Sequence, residues 1–542
     1  MSAEKHDQNN EKTSDDKRSE SRVQVQVLTE NIFTDDAVDP VYQAKARILN
    51  DAIQEIGMGR YQCHWFWMAC IVTGLILAPV VNEFHFEGPF LKLGQNIGLL
   101  VGAVFWGVGS DVWGRRMSFN ITLLITAIFA LAAGGSNNSV ALCSLAAVWS
   151  VGVGGNLPVD SAIFLEFVPA SHQYLLTVLS IWWAFGQLLG SLVRSQKPSL
   201  RVLKVSSTPR LQMQIAWPLI GNFSCALNTT CPRSSNQGWR YFLFTMGGLM
   251  FILWCIRFFL FKLYESPKYL MGRGRDEAAV EVVHRVAELN GRTSTLTVED
   301  LRQAAGAAGG ERREVDASAK GAVRRQLEKF GTGHVRSLFA TRKLAYSTGL
   351  LITLWAFIGL AFPLYNAFVT YYLATRGADF GDGSIYITYR NQVILSVIGV
   401  PGALLAGYMV ELPILGRRGT LAISTALTGI FILVSTTART SNALLGWNCA
   451  YSFTSNVMYG VLYAITPELF PTKDRGTGNA IVAAANRVFG IMVPFVLSQS
   501  PIIALYADLT SSVPIFIAGA IFVASGFIAL LLPFESRGRA SL

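Results

Sequence analysis

Two charged side chains stand where charge is expensive. Arg487 lies about eight residues into one long apolar run, and Asp160 lies more than one helical turn inside another. Charge within a bilayer is costly, and where it occurs it acts on a solute, a proton or a partner helix. A guanidinium facing a cavity can hold a carboxylate through two parallel hydrogen bonds. A desolvated carboxylate takes up a proton more readily than one in water and can carry it. The structural alternatives are an arginine snorkelling to the inner face and an Asn156–Asp160 hydrogen-bonded network.

A second set of charges occurs twice. Gly107 to Arg116 reads Gly-Val-Gly-Ser-Asp-Val-Trp-Gly-Arg-Arg, a polar hairpin between apolar runs at 97–106 and 121–133. Gly407, Glu411, Gly416, Arg417 and Arg418 repeat the pattern 300 positions later, with Glu for Asp and a longer loop. Glu166-Phe-Val-Pro169 pairs in the same way with Glu468-Leu-Phe-Pro471, and Glu265-Ser266 with Glu535-Ser536. Three pairs in one order indicate duplicated halves. Opposite charges at a membrane edge can pair in one conformation and be solvated in another, which makes a bistable element.

The elements that must position these residues are membrane helices. Apolar runs at about 65–81, 91–106, 118–133, 140–164, 174–193, 241–261, 344–373, 386–410, 421–437, 444–465, 479–499 and 513–532 predict twelve of them. The fold class is an all-α membrane protein, with twelve transmembrane helices in two pseudo-symmetric six-helix bundles. The divisions are a cytoplasmic tail (1–56), a first bundle (57–262) with an extracellular loop (about 194–238), a cytoplasmic central loop (263–343), a second bundle (344–534) and a cytoplasmic tail (535–542). Helical periodicity marks an amphipathic helix at 41–60 and two loop helices at 276–289 and 298–304.

Composition agrees. Of 542 residues 51% are hydrophobic and 15% charged, against about 25% charged in ordinary soluble domains. The net charge of +10 follows the basic cytosolic loops of a membrane protein and does not point to nucleic acid. Sequons at Asn137, Asn222 and Asn228 fall in outside loops and predict glycosylation, and Cys225 and Cys231 are placed for a disulfide beside them. The basic run from Arg194 to Arg210 departs from the positive-inside trend, as either a true insertion or a retained intron. No P-loop lysine motif, metal-ligand cluster or nucleophile elbow is present, so the expectation is no enzyme, no cofactor and no metal.

From about Gly57 onward the chain resembles the major facilitator superfamily, nearest a fungal group close to the sugar porters and the synaptic-vesicle-protein and organic-ion transporter branch. The carrying residues are the two hairpins, Val153-Gly-Gly-Asn-Leu-Pro-Val-Asp160, Tyr264-Glu-Ser-Pro-Lys-Tyr-Leu270, Glu468-Leu-Phe-Pro-Thr-Lys-Asp-Arg-Gly-Thr-Gly478 and Ala485-Asn-Arg-Val-Phe-Gly490. The resemblance implies alternating access, with an inner-face ion-pair latch in each half. Asp111, Arg115, Arg116, Glu166 and Glu265 would form the first, and Glu411, Arg417, Arg418, Glu468 and Glu535 the second. By the same resemblance Gln187 matches a sugar-binding glutamine, and Asn366, Tyr371 and Tyr372 match an Asn-Ala-x-x-Tyr-Tyr run with one extra residue before the tyrosines. The organic-ion branch also carries a basic residue in the span that holds Arg487. Two features depart from the pattern: the first span is short, and the arginine that sugar porters carry in the fourth is absent.

The resulting expectation is a monomeric secondary transporter of a small polar organic solute, an organic anion, by alternating access. Arg487 contacts substrate, and Asp160 is the coupling candidate with the proton as its ion. Its other partner is the lipid bilayer, of the plasma membrane or alternatively the vacuole. An efflux pump for a self-made secondary metabolite, a sugar transporter and a non-transporting nutrient sensor are the alternatives. A sensor of this fold usually carries a long cytoplasmic tail, which is not seen after Glu535.

Overall fold

A computed structural model of the chain describes residues 40–62, 80, 83–84, 89–191, 236–260, 263–307, 335–336, 338–379, 385–470, 475–499 and 513–533. Apart from Val80, the first predicted span lies outside them, as do Asn222, Asn228, Cys225, Cys231 and Glu535. Asp111, Gln187, Tyr371 and Tyr372 lie on described helices whose backbone alone is described at those positions.

Every described element is a helix. The first half contains α1 (Pro40–Ile56), α2 (Pro89–Trp113), α3 (Arg115–Gly134), α4 (Ser139–Phe167), α5 (Leu175–Val178), α6 (Ile181–Ser191) and α7 (Gly238–Cys255), which runs into a π-turn at Ile256–Leu260. The central loop contains α8 (Pro267–Gly272), α9 (Asp276–Leu289) and α10 (Val298–Ala307). The second half contains α11 (Arg342–Asp379), α12 (Ile385–Met409), α13 (Gly416–Ser435), α14 (Ser441–Glu468), α15 (Arg475–Gln499) and α16 (Val513–Leu530). The predicted spans from the second to the twelfth each fall on one of these helices, except the fifth, which is divided. Segments within α2, α3, α4, α7, α11 and α13 are each long and apolar enough to cross a bilayer.

Two local expectations are corrected. The first hairpin is not a polar loop over 107–116: α2 continues to Trp113, and Gly114 alone turns the chain with φ 103°. Only glycine adopts that conformation at little cost, so one residue suffices. The fifth span is not one helix. Ser180, Trp182 and Trp183 donate backbone hydrogen bonds to residues three back, and Ser180 Oγ also donates to the Thr177 carbonyl at 2.8 Å. This tightened turn separates α5 from α6. The seventh span behaves oppositely, passing through Pro363 as one helix.

In the first half α2 and α3 pack on α4, and α7 packs on α3; in the second, α12 and α13 pack on α14, α16 on α13, and α11 on both α15 and α16. The halves meet through α2 with α15 and through α6 with α12, which are equivalent pairs under the duplication (second span with eleventh, fifth with eighth). The repeated hairpin glycines lie at these junctions, Gly407 against α5 beside α6. A methyl on Gly107 would lie 2.6 Å from the Ala480 side chain of α15, and one on Gly407 would strike Val178 of α5. Both contacts are at the inner ends, so the inner face is closed.

Beneath the first half, α1 and α8–α10 form a cap. Leu49, Ala52 and Ile56 of α1 bury against Val283, Val286 and Leu301. Lys45 reaches Asp276 at 2.5 Å, and Arg292 donates to the Ile56 carbonyl at 2.7 Å. At the outer face Arg240 grips Glu83 through two hydrogen bonds of 2.7 and 2.9 Å, with the Trp239 indole donating to the same carboxylate.

Candidate substrate site and inner-face ion pairs

At the inner face the first half buries an ion pair between Arg115, at the start of α3, and Glu166, near the end of α4. A helix start leaves backbone N–H groups without partners. Gly114 has no side chain to serve them, so Glu265, beyond α7, accepts from the backbone N–H of Arg115 at 3.0 Å and of Arg116 at 3.3 Å. The helix dipole favours an anion at that place. The Arg116 side chain is exposed.

The second half buries the equivalent pair: Arg417 Nε lies 2.7 Å from Glu468 Oε2. Glu411 is 4.0 Å from the same guanidinium. Arg418 donates to the Leu532 carbonyl at 3.0 Å, satisfying the end of α16. Gly416 repeats the positive φ of Gly114, at 57°.

Two cations that the sequence reading passed over stand between the halves. Lys268 on α8 and Arg475 at the start of α15 are buried, and Arg475 Nε donates to the Pro467 carbonyl at 2.7 Å. Burial, with Arg475 and then Arg115 nearby, pushes the Lys268 ammonium down to about 7. Both residues were visible inside the Tyr264–Leu270 and Glu468–Gly478 segments, where they passed as loop charges.

Deeper in the first half, Asp160 lies 3.8 Å from Arg257, whose guanidinium rests on the Phe119 ring. Arg257 was missed; a lone arginine inside the apolar run 241–261 was the available signal. Asn156 accepts from Thr122 Oγ1, a bond that ties α4 to α3 and does not run to Asp160.

Arg487 is half-buried, thirteen residues into α15. It shares a helical stripe with Gly476, Ala480 and Ala483, and Gly476 and Ala480 touch Gly107 on α2. The exposed Val488 and Met492 mark another face, toward lipid. Arg487 therefore points along the junction of the halves, where it interacts electrostatically with Tyr459 and Tyr463 of α14. These tyrosines belong to an aromatic floor. Tyr463 meets Trp183 of the first half at 4.5 Å and Trp355 of the second at 4.7 Å, and Tyr459 meets Phe362 at 5.2 Å. Trp183, Tyr459, Tyr463 and Phe362 are each half-buried.

Asn366 takes a different place. Its amide donates to the Phe362 carbonyl at 2.8 Å and toward the Tyr451 hydroxyl at 3.4 Å, beside a Tyr365–Asn448 bond of 2.7 Å. It is engaged in a network of the second half. Asn137 is exposed in the α3–α4 turn. Among the described residues no cluster of His, Cys, Asp or Glu is arranged to hold a metal. A guanidinium near aromatic side chains and phenol hydroxyls has the chemistry to hold an acid group and cover an apolar body.

Residues 95–539 match the family described as Sugar (and other) transporter. The chain is 56% identical to MFS siderochrome iron transporter 1 of Ceriporiopsis subvermispora, over 94% of either chain. It is 36% identical to major facilitator-type transporter hxnZ of Emericella nidulans, over 94% of this chain and 90% of that one. Among solved structures, a proton:xylose symporter bound to 6-bromo-6-deoxy-D-glucose shares the fold at a TM-score of 0.61 and 17% identity, covering 93% of this chain and 97% of that chain.

Proposed function

The chain belongs to the sugar (and other) transporter family of the major facilitator superfamily, and from that premise we propose that it carries a small organic anion with a planar body, using Arg487 as the principal anchor. It is a multi-pass membrane transporter and not an enzyme. The observation behind the anion reading is the place of Arg487: at mid-helix, at the junction of the halves, beside Tyr459 and Tyr463, with no ion-pair partner among the described residues. A cation so placed is costly unless a ligand completes it.

In this reading the Arg115–Glu166 and Arg417–Glu468 pairs hold the inner face shut and separate as the halves rock. The Asp160–Arg257 pair is the proton-coupling element, and the membrane is the plasma membrane. The second reading is a ferric siderochrome substrate, which the 56%-identical siderochrome iron transporter supports.

The test is uptake into vesicles holding the full chain, with and without an imposed pH gradient, of labelled benzoate, glucose and an iron-loaded siderochrome. Gradient-driven benzoate uptake that falls by at least about 30-fold in Arg487→Gln is the expected result. Glucose or siderochrome movement indifferent to Arg487 overturns it.

A further inference from the structure

We propose that Lys92 is the second cation of this site, so that the preferred substrate is a compact dianion held by one positive charge from each half. The proposal rests on the anion reading above.

Lys92 lies in the first turn of α2. A lysine near a helix end commonly snorkels to the membrane surface, and its position on the helix decides between that and an inward role. Phe90, Ile97, Val101, Val104 and Phe105 are exposed apolar residues that share one side of α2 and mark its lipid face; the exposed Trp113, at the inner end, lies off that stripe. At about 100° per residue, Lys92 falls on the opposite side of the helix. It is nonetheless exposed. An exposed side chain turned away from lipid, on a helix packed against α4 and α15, lines a space inside the protein.

Arg487 looks into the same space from the other half. Its stripe on α15 is the one that touches α2, and Lys92 and Arg487 interact as like charges. Neither has an ion pair among the described residues, whereas the buried arginines of the inner face do. The twelve predicted spans contain a single carboxylate, Asp160, and it lies beside Arg257. Among the described residues no carboxylate pairs with Lys92 or Arg487, which leaves their balancing charge to a ligand.

Two cations on opposing halves also give a reason for substrate to drive closure. In the empty site their repulsion acts against bringing α2 and α15 together at the outer side. A dianion bridging them converts that repulsion into attraction. A ligand shifts a conformational equilibrium only by binding the two states unequally, and a bridge formed only when the halves are close does this. A monoanion held by Arg487 alone leaves the lysine unbalanced.

The experiment measures binding of benzoate and phthalate, which differ by one carboxylate on the same ring, to the full chain in lipid nanodiscs by calorimetry. The wild type is expected to bind phthalate about tenfold more tightly than benzoate, the scale of one charge-assisted contact. Lys92→Gln should bring phthalate to the level of benzoate while leaving benzoate within about twofold, and Lys92→Arg should keep the preference. Arg487→Gln should weaken both ligands. If Lys92→Gln weakens both acids equally, or leaves the preference intact while Arg487→Gln still acts, Lys92 is not a substrate contact and this inference alone falls. If neither acid binds the wild type, or Arg487→Gln leaves both unchanged, the anion reading falls and takes this inference with it.

Discussion

The molecule treats the cations of its helices in two ways. At the inner face Arg115 and Arg417 are each closed against a buried glutamate. Between the halves, Lys92 in the first turn of α2 and Arg487 in the middle of α15 interact as like charges, and neither has an ion pair among the described residues. In the proposed reading, a charge with its partner within the chain holds a conformation, and one without such a partner takes a ligand. The two kinds of site should therefore respond with opposite signs to neutralisation. Removing one member of a buried pair leaves the other charge poorly compensated, at about 3–5 kcal/mol. Glu468→Gln should accordingly lower the Tm of the purified protein sharply and expose the inner face to thiol reagents. Arg487→Gln removes a charge that the empty protein does not balance, so Tm should hold or rise while transport is lost. A large drop in Tm for Arg487→Gln would place that arginine with the latches and erase the distinction.

Lys268 sharpens the comparison because burial among the inner cations changes its proton affinity. It faces Arg475 of the second half and Arg115 of the first, and burial beside them holds it down to about 7. The exposed lysine of an unfolded chain keeps its proton up to about 10.5. Between those values the unfolded state binds a proton that the closed structure does not, so stability rises with pH through the window. Below pH 7 the ammonium forms inside the closed face and that gain is absent. Thermal unfolding in detergent from pH 6 to 9 should show Tm climbing, and Lys268→Met should flatten the slope. A slope unchanged by Lys268→Met would assign the pH dependence to another group.

How much of this was readable beforehand differs between the same two regions. The inner-face ion pairs were legible because each is written in a short segment and then written again: Gly107 with Gly407, Arg115 with Arg417, and Glu166 with Glu468 occupy matching positions in sequence and in space. Repetition distinguishes a motif from a chance cluster of loop charges. The central site had no such help. Arg487 was visible because it interrupts an apolar run far from either end. Lys92 was not, because it lies one turn inside its helix, where a lysine ordinarily reaches the surface. Only the lipid-facing stripe of α2 shows which way it turns. Arg257 escaped notice for a related reason: its meaning depends on Asp160, nearly a hundred residues earlier, and nothing in the local pattern joins them. The hairpin turn was misjudged through composition. Gly107 to Trp113 looks polar enough for a loop, but the chain needs only Gly114 to reverse, and the preceding residues retain their helical hydrogen bonds.

The smallest expected effect lies in a difference between the surroundings of the two inner-face ion pairs. Helix α3 begins after Gly114, which offers no side chain, and Glu265 arrives from beyond α7 to accept from the Arg115 and Arg116 backbone. This contact joins the last span of the first bundle to the start of its third helix, so it both caps a helix and fixes the entry to α8. A lost cap of this kind costs about 1 kcal/mol, less than a broken buried pair because water can reach the freed N–H groups of a half-exposed turn. Glu265→Ala should therefore lower Tm only slightly and leave Arg115 paired with Glu166. Hydrogen exchange separates this from a loss of the latch. Faster exchange confined to the amides of Arg115 and Arg116 is the signature of the cap, whereas Glu166→Gln should loosen α3 and α4 together. If Glu265→Ala also accelerates exchange along α4, the cap and the ion pair act as one unit, and the two halves are more alike than their hydrogen bonds suggest.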